Sequence, residues 1–445
     1  MNASPGRTPV VCGIDIGSTN TKVVALTQDG TVAARARRTT PRSPSDRSID
    51  ATELLTAIED MMIETCRPDR QIVAVAAAGV GEDGVLVDAD LNPLAHALSW
   101  FDPRRGPLFE EIRDLLSPAP GIGVSTDPAR TLIGWLWARR QAGLDAAACW
   151  IALTDFAASH WAREGFISDT LAARTAAWDG RSRSWLTDRV TITLGSVDLL
   201  PPVVPTGDPV GHLQSTRLEQ AGVLTPTAVV IAGGHDHPVG GWGVHQMHPT
   251  AILDSMGTAE VVVAQSPTPN VPRTGTVDVA PGIRSTGTTV LCVEELARNI
   301  EWASRQPAVA QALRRLIAGD QAADGCLHSD SFIPGQKGGG TPHYAADAPT
   351  DPNSRASAVL GALARLGGAA VDAVRHHMAA DAHVYAAGGW ARSPGWIDIK
   401  HQVTGIAVHA IAEPEVTAVG AALLAAGAIG WDIPAENALD TRSRI

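Results

Sequence analysis

Cysteine is scarce in this chain and never paired. The five cysteines, Cys12, Cys66, Cys149, Cys292 and Cys326, form no CxxC motif. Neither a disulfide framework nor a thiolate metal site is expected, and a reducing, cytoplasmic setting fits. Positive charge is also in deficit: 35 Lys and Arg stand against 47 Asp and Glu, a formal net charge of -12. A surface of that sign repels the phosphates of nucleic acid, so no nucleic-acid partner is expected. A small anion can still be held by local glycine loops and a cation. The start "MNASPGRTP" has no apolar signal core, and "VGAALLAAGAIGW" falls short of the ~20 residues a membrane helix needs. No membrane partner is expected. The P-loop signature is absent, and so is a GxGxxG between strand and helix, which counts against a P-loop enzyme and a Rossmann dehydrogenase.

What is present describes a folded α/β protein. With 445 residues, 44% hydrophobic and 18% charged, the chain is too long for one ordinary core, so two domains are expected. Val10 to Ile16 reads as a strand, "GSTN" as a turn, Val23 to Leu26 as a returning strand, and Asp29-Gly30 as a second turn into a third strand. Residues 50–66 carry helical spacing behind Asp50 as cap, and 72–80 form a continuous apolar strand. The proline-rich stretch 198–211 is irregular and precedes another apolar strand, 227–234, so the hinge is expected close by. The stretch 250–265 repeats the first hairpin: an apolar run ending in an acid (Asp15, Asp254), a Gly-Ser/Thr turn, then a second apolar run. Two such hairpins, one per half, suggest a duplicated domain facing its copy across a cleft.

Three glycine turns and one acid carry the chemistry. Gly17, Ser18 and Thr19 offer backbone N–H groups and hydroxyls to a phosphate. Asp15 beside them would repel phosphates unless a cation intervenes, which implies Mg²⁺. "VYAAGGWARSPGW" (384–396) runs from strand through Gly388-Gly389 to a helix capped near Ser393-Pro394. "GGHDHPVGGWG" (233–243) sets Asp236 between His235 and His237. On an extended stretch the two rings would point the same way and Asp236 oppositely. With His245 and His248 nearby, a zinc site is the competing reading of that segment.

Taken in order, "DIGSTNTK", "WFDPRR", "AGGHDHPVGG", "DSMGTAE" and "AGGWARSPGW", followed by "TGIAVHAIAEPEVTAVGAALLAAGAIG", resemble the FGGY family of carbohydrate kinases over roughly residues 10–430. The resemblance implies two actin-like (ribonuclease H-like) domains, 8–240 on the sugar side with the first phosphate turn and 241–435 on the nucleotide side. Mg²⁺ and ATP would lie in the central cleft. It further implies transfer of the γ-phosphoryl group to a hydroxyl of a ketose or polyol, with Asp236 as general base.

By the same resemblance Asp15 lies near Mg²⁺, and Gly17, Ser18, Thr19, Gly257 and Thr258 form the two phosphate turns. Lys22 reaches a phosphate, and Gly388, Gly389 and Ser393 lie on the adenosine side. Glu82, Asp83, Trp100, Asp102 and His237 face the substrate with Asp236. Glu82 resembles the acid with which glycerol kinases bind a hydroxyl, where pentulose kinases commonly carry Met-His. Arg104 can equally pair with Asp102 to fix a loop. The chain departs from the family at "NSRASAVLGALARLGG", which lacks the usual Glu-Gly pair, and Glu301 is a faint candidate for the adenine wall. Relatives often form homodimers, an expectation carried by the resemblance alone. A regulatory actin-fold ATP-binding protein without sugar kinase activity is the alternative function.

Overall fold

The computed structural model describes residues 6–141, 144–335, 340–378 and 381–439; residues 1–5, read above as a polar start, lie outside them. Two six-stranded sheets organise the chain. In the first, strand Thr8–Ile16 pairs antiparallel with Asn20–Thr27, which pairs antiparallel with Val32–Thr39. On its other side lie, both parallel, Arg70–Gly79 and then Leu224–His235. In the second, Ala251–Met256 pairs antiparallel with Ala259–Ser266, and that strand with Thr288–Glu295. Parallel neighbours His383–Ala387 and Val408–Ala410 follow. Over these five strands order and direction are the same in both halves, as in duplicated actin-like domains. The sixth strand lies beside Leu224–His235 in the first sheet (Pro209–His212) and on the opposite edge, beside Thr288–Glu295, in the second (Asp278–Pro281).

Local chemistry explains the elements. The run from Val10 to Ile16 is buried throughout because its strand has neighbours on both edges and helices on its faces. Helix Ala51–Cys66 starts where the Asp50 carboxylate accepts the N–H groups of Thr52 (2.8 Å) and Glu53 (3.2 Å). Its Leu54, Ile58, Met61 and Met62 fill the core beneath the first sheet. The proline-rich segment 198–211 is tied into the first half. Val203–Val204 pairs with Ile167–Ser168, and Pro209–His212 pairs with Leu224–His235.

A further core is shared by the halves. It gathers Val11, Ala76 and Ile231 from the first sheet, Leu253 and Val263 from the second, and Val419 and Leu424 from helix Val416–Ala428. Helices Asp236–His245 and Val416–Ala428 cross between the sheets, and only small residues permit their approach: a Cβ on Gly243 would sit 2.9 Å from Gly420 Cα. Among the described residues one helix, Pro352–Arg375, is long and apolar enough to cross a membrane, but most of it is buried within the second half.

Candidate active site

The parallel strands of the first sheet end together, and the side chains beyond those ends meet. Ile16 and His235 both stand opposite Gly79 in register, so Asp15, the turn leading to Glu82, and Asp236 gather at one sheet edge. That is where open α/β sheets hold ligands. Asp236 opens helix Asp236–His245. The expected extended His-Asp-His does not occur, because helical geometry starts at Asp236 and turns the rings to 87° from each other. Asp236 Oδ1 accepts the N–H of His237 at 2.7 Å and lies 3.2 Å from His235 Nε2. No hydrogen bond or ion pair among the described residues falls on Oδ2. Nor do any three His, Cys, Asp or Glu side chains among them group for a metal, so a zinc centre built on these histidines lacks its ligands.

Burial drives the electrostatics. It is the largest influence raising the Asp236 pKa; the His237 charge pulls it down, and Asp15 and Glu82 push it up. His235 is 4% exposed, and burial, then Arg174, His237 and Arg130, hold it well below the usual range, so it is neutral. Its Nε2 can then donate to Asp236 and hold the carboxylate in place.

Several expected residues already have partners within the chain. The Lys22 ammonium bonds Asp15 Oδ2 at 2.7 Å and lies 3.4 Å from Glu415. Burial lowers its pKa most, but the two carboxylates outweigh burial and the net shift is upward. Asp83, expected against substrate, has no exposed surface; it faces Arg105 at 3.6 Å, and neither oxygen has a hydrogen bond. Asp102 is held by Arg104 Nε (2.9 Å) and Nη2 (2.8 Å), the loop-fixing pairing. Glu82 is likewise engaged, its Oε1 accepting Arg174 at 2.6 Å and 2.9 Å and facing Arg130 at 3.4 Å. Exposed Trp100 donates its indole N–H to Ser18 Oγ at 2.9 Å, joining the expected sugar face to the first phosphate turn. His237 remains partly open beside Asp236. Glu301 is exposed on helix Ala297–Ala303.

The turns form an open cradle. In the first, Gly17 N–H donates to Asn20 O, while Arg42 donates to Ser18 O at 2.6 Å. In the second half, Gly257 and Thr258 are exposed between two buried strands. Gly388 has φ 90°, and a Cβ there would strike the Met256 carbonyl, so the two glycine turns pack backbone to backbone. Gly389 lies open, with no atom within 4 Å of an added Cβ, and Ser393 is the cap residue before helix Pro394–Thr404. Arg42, Arg130, Arg174 and Glu415 were not read from the sequence. Glu82 and Arg174 are 92 residues apart, and no local spacing announces such a pair.

Comparison with known proteins places this geometry. A model described as "FGGY family of carbohydrate kinases, N-terminal domain" matches residues 10–243. The L-fuculokinase of Escherichia coli strain K12 is 25% identical over 459 residues, covering 95% of this chain and 92% of that protein. The crystal structure of xylulose kinase from Rhodospirillum rubrum shares the fold, with TM-score 0.83 at 20% identity over 97% of this chain and 92% of that one. Plasmodium falciparum glycerol kinase with ADP superposes with TM-score 0.82 at 15% identity, covering 100% and 94%. Because the family match spans more than half of its length, the chain belongs to the FGGY family of carbohydrate kinases, enzymes that transfer a phosphoryl group to a carbohydrate hydroxyl.

Proposed function

We propose that this kinase phosphorylates a hydroxyl of a small ketose or polyol from ATP and Mg²⁺, with Asp236 as general base. The carrying observation is the Asp236 carboxyl itself. Oδ1 is fixed by His237 N–H and faces His235, which leaves Oδ2 to orient the acceptor hydroxyl and take its proton. The alternative, a regulatory ATP-binding protein, gives this buried and anchored acid no task.

The residues suit the nucleotide. The open turns at Gly17, Ser18, Thr19, Gly257 and Thr258 offer amides and hydroxyls to phosphates, while the flat opening at Gly388, Gly389 and Ser393 suits the adenosine. Asp15 suits a cation held chiefly by phosphates and water, since one carboxylate suffices there and Lys22 already occupies Oδ2. When bound, Mg-ATP supplies the transferable phosphoryl group and neutralises its charge. Trp100, Asp102, Glu82 and His237 would frame the sugar, with Asp83 behind them as a buried support. An L-fuculokinase and a xylulose kinase among the similar proteins agree with a small carbohydrate acceptor. We assign 8–240 and 241–435 as the two domains and the cytoplasm as the location, in keeping with five free cysteines.

The test is coupled ADP release with Mg-ATP across tetritols, pentitols, ketopentoses, ketohexoses and glycerol. One strong acceptor is expected, and Asp236→Ala lowers kcat on it by roughly 10²–10⁴-fold. Asp236 must be ionised to act, so activity is lost as pH falls through its raised pKa, above the ordinary aspartate range. Unchanged turnover in the variant would remove the base assignment.

A further inference from the structure

A cavity of about 430 Å³ lies outside the Asp236 site, where the two halves meet. Neither Asp15, Glu82, Asp236 nor any of the glycine phosphate turns lines it. Four arginines do: Arg181, Arg183, Arg273 and Arg284. The first two come from the turn between strands Trp178–Asp179 and Ser184–Trp185 of the first half. The other two flank strand Asp278–Pro281 of the second. Four cations drawn to one concavity repel one another, yet this happens in a chain whose net charge is -12.

The acids nearby balance them only in part. Asp169 and Asp208 are the two carboxylates in the lining, and Asp278 faces Arg273 from behind it. Arg183 lies 3.7 Å from Asp169. Arg273 lies 3.5 Å from Asp278, an acid that Arg174 also approaches at 3.5 Å. The exposed guanidinium groups of Arg181 and Arg284 have no hydrogen-bonding or acidic partner among the described residues. They present planar donor forks that match phosphate oxygens two at a time.

The volume falls within the roughly 300–1,000 Å³ of small-molecule sites and far exceeds what an inorganic ion needs. Trp178 adds an apolar wall suited to a carbon skeleton. We propose that this cavity is a second ligand site, for a phosphorylated metabolite the size of a sugar phosphate. Such a ligand joins arginines from both halves, so its binding favours one relative position of the halves over another.

The test is titration calorimetry of the whole chain with ribose 5-phosphate, with pyrophosphate as an anion lacking the carbon skeleton and ribose as a neutral control. Ribose 5-phosphate is expected to bind and ribose is not. The exposed double variant Arg181→Ala/Arg284→Ala is expected to weaken ribose 5-phosphate binding at least about tenfold, that is 1.4 kcal/mol or more. Asp236→Ala is expected to leave the affinity unchanged, which separates this site from the kinase site. Absence of binding by both anions overturns the proposal. So does binding that survives the arginine variant, or binding that ATP displaces competitively. A fall in melting temperature of the double variant without ligand binding by the parent chain would assign the arginines to joining the halves and would equally overturn it.

Discussion

Asp83 is the residue whose environment costs the protein most visibly. Burial lifts its pKa from 3.8 to about 7, Glu82 adds to the rise, and Arg105 at 3.6 Å only partly offsets it. The folded state therefore favours the protonated acid. Its contribution to stability is fully present below the ordinary aspartate value and is lost as pH rises through about 7. Asn in its place keeps the shape and removes the charge. Arg105 keeps its bonds to the carbonyls of Ser99 and Leu98, both at 2.8 Å. Asp83→Asn is thus expected to gain on the parent chain by roughly 1–3 kcal/mol between pH 5 and pH 8. Denaturant unfolding at the two pH values measures this, and an equal difference at both would show that Asp83 does not titrate in that window.

At the scale of elements, glycine turns at strand ends do the placing. Gly388 joins strand His383–Ala387 to the helix that begins at Pro394, with a φ of 90° and no room for a Cβ beside the Met256 carbonyl. Gly388→Ala adds both a strained backbone and a clash, so a loss of at least about 2 kcal/mol is expected. Weaker ATP binding should accompany it, read by calorimetry against Gly389→Ala, where the added Cβ meets nothing within 4 Å. Equal effects at both positions would place the sensitivity in the ligand rather than the turn. The same half holds a buried triad in which Lys400 bonds Asp254 and Glu260, with the Glu260 pKa lifted to about 8 by burial first and Asp254 second. The sequence pattern reads Asp254 as the counterpart of Asp15, yet it stands third from its strand end where Asp15 stands second from its own. By strand alternation that offset turns it to the other face, where it is fully buried.

The whole molecule is two sheets hinged on a common core. Helices Asp236–His245 and Val416–Ala428 occupy the interface, and the Val279 N–H donates to the Gly123 carbonyl at 2.7 Å across the halves. Arg130 (3.9 Å) and Arg174 (3.5 Å) reach Asp278 from the other half. A site that activates a hydroxyl must exclude water before transfer, or ATP is hydrolysed instead. Sugar and a non-hydrolysable ATP analogue together are expected to reduce the radius of gyration in X-ray scattering, more than either alone. An unchanged radius would count against closure.

The sequence by itself determined the features that depend on near neighbours. The two hairpins follow from apolar runs broken by Gly-Ser/Thr turns, the helix after Asp50 from a cap and helical spacing, and the acid at a strand end from "GGHD". These patterns are legible because hydrogen bonding and solvent exposure within a few residues decide them. Only the tertiary structure decided which charges meet. Glu82 finds Arg174 across 92 residues, Lys22 turns to Glu415 at the far end of the chain, and Asp83 loses its water to the packing around it. The arginine-lined cavity has the same origin, since its walls come from segments near 120, 180, 205 and 280. Pairings over such separations are set by how the sheets pack, which no local spacing encodes. The pairing of Lys22 with Asp15 and Glu415 was therefore not legible, while the position of Asp236 just past the end of its strand was.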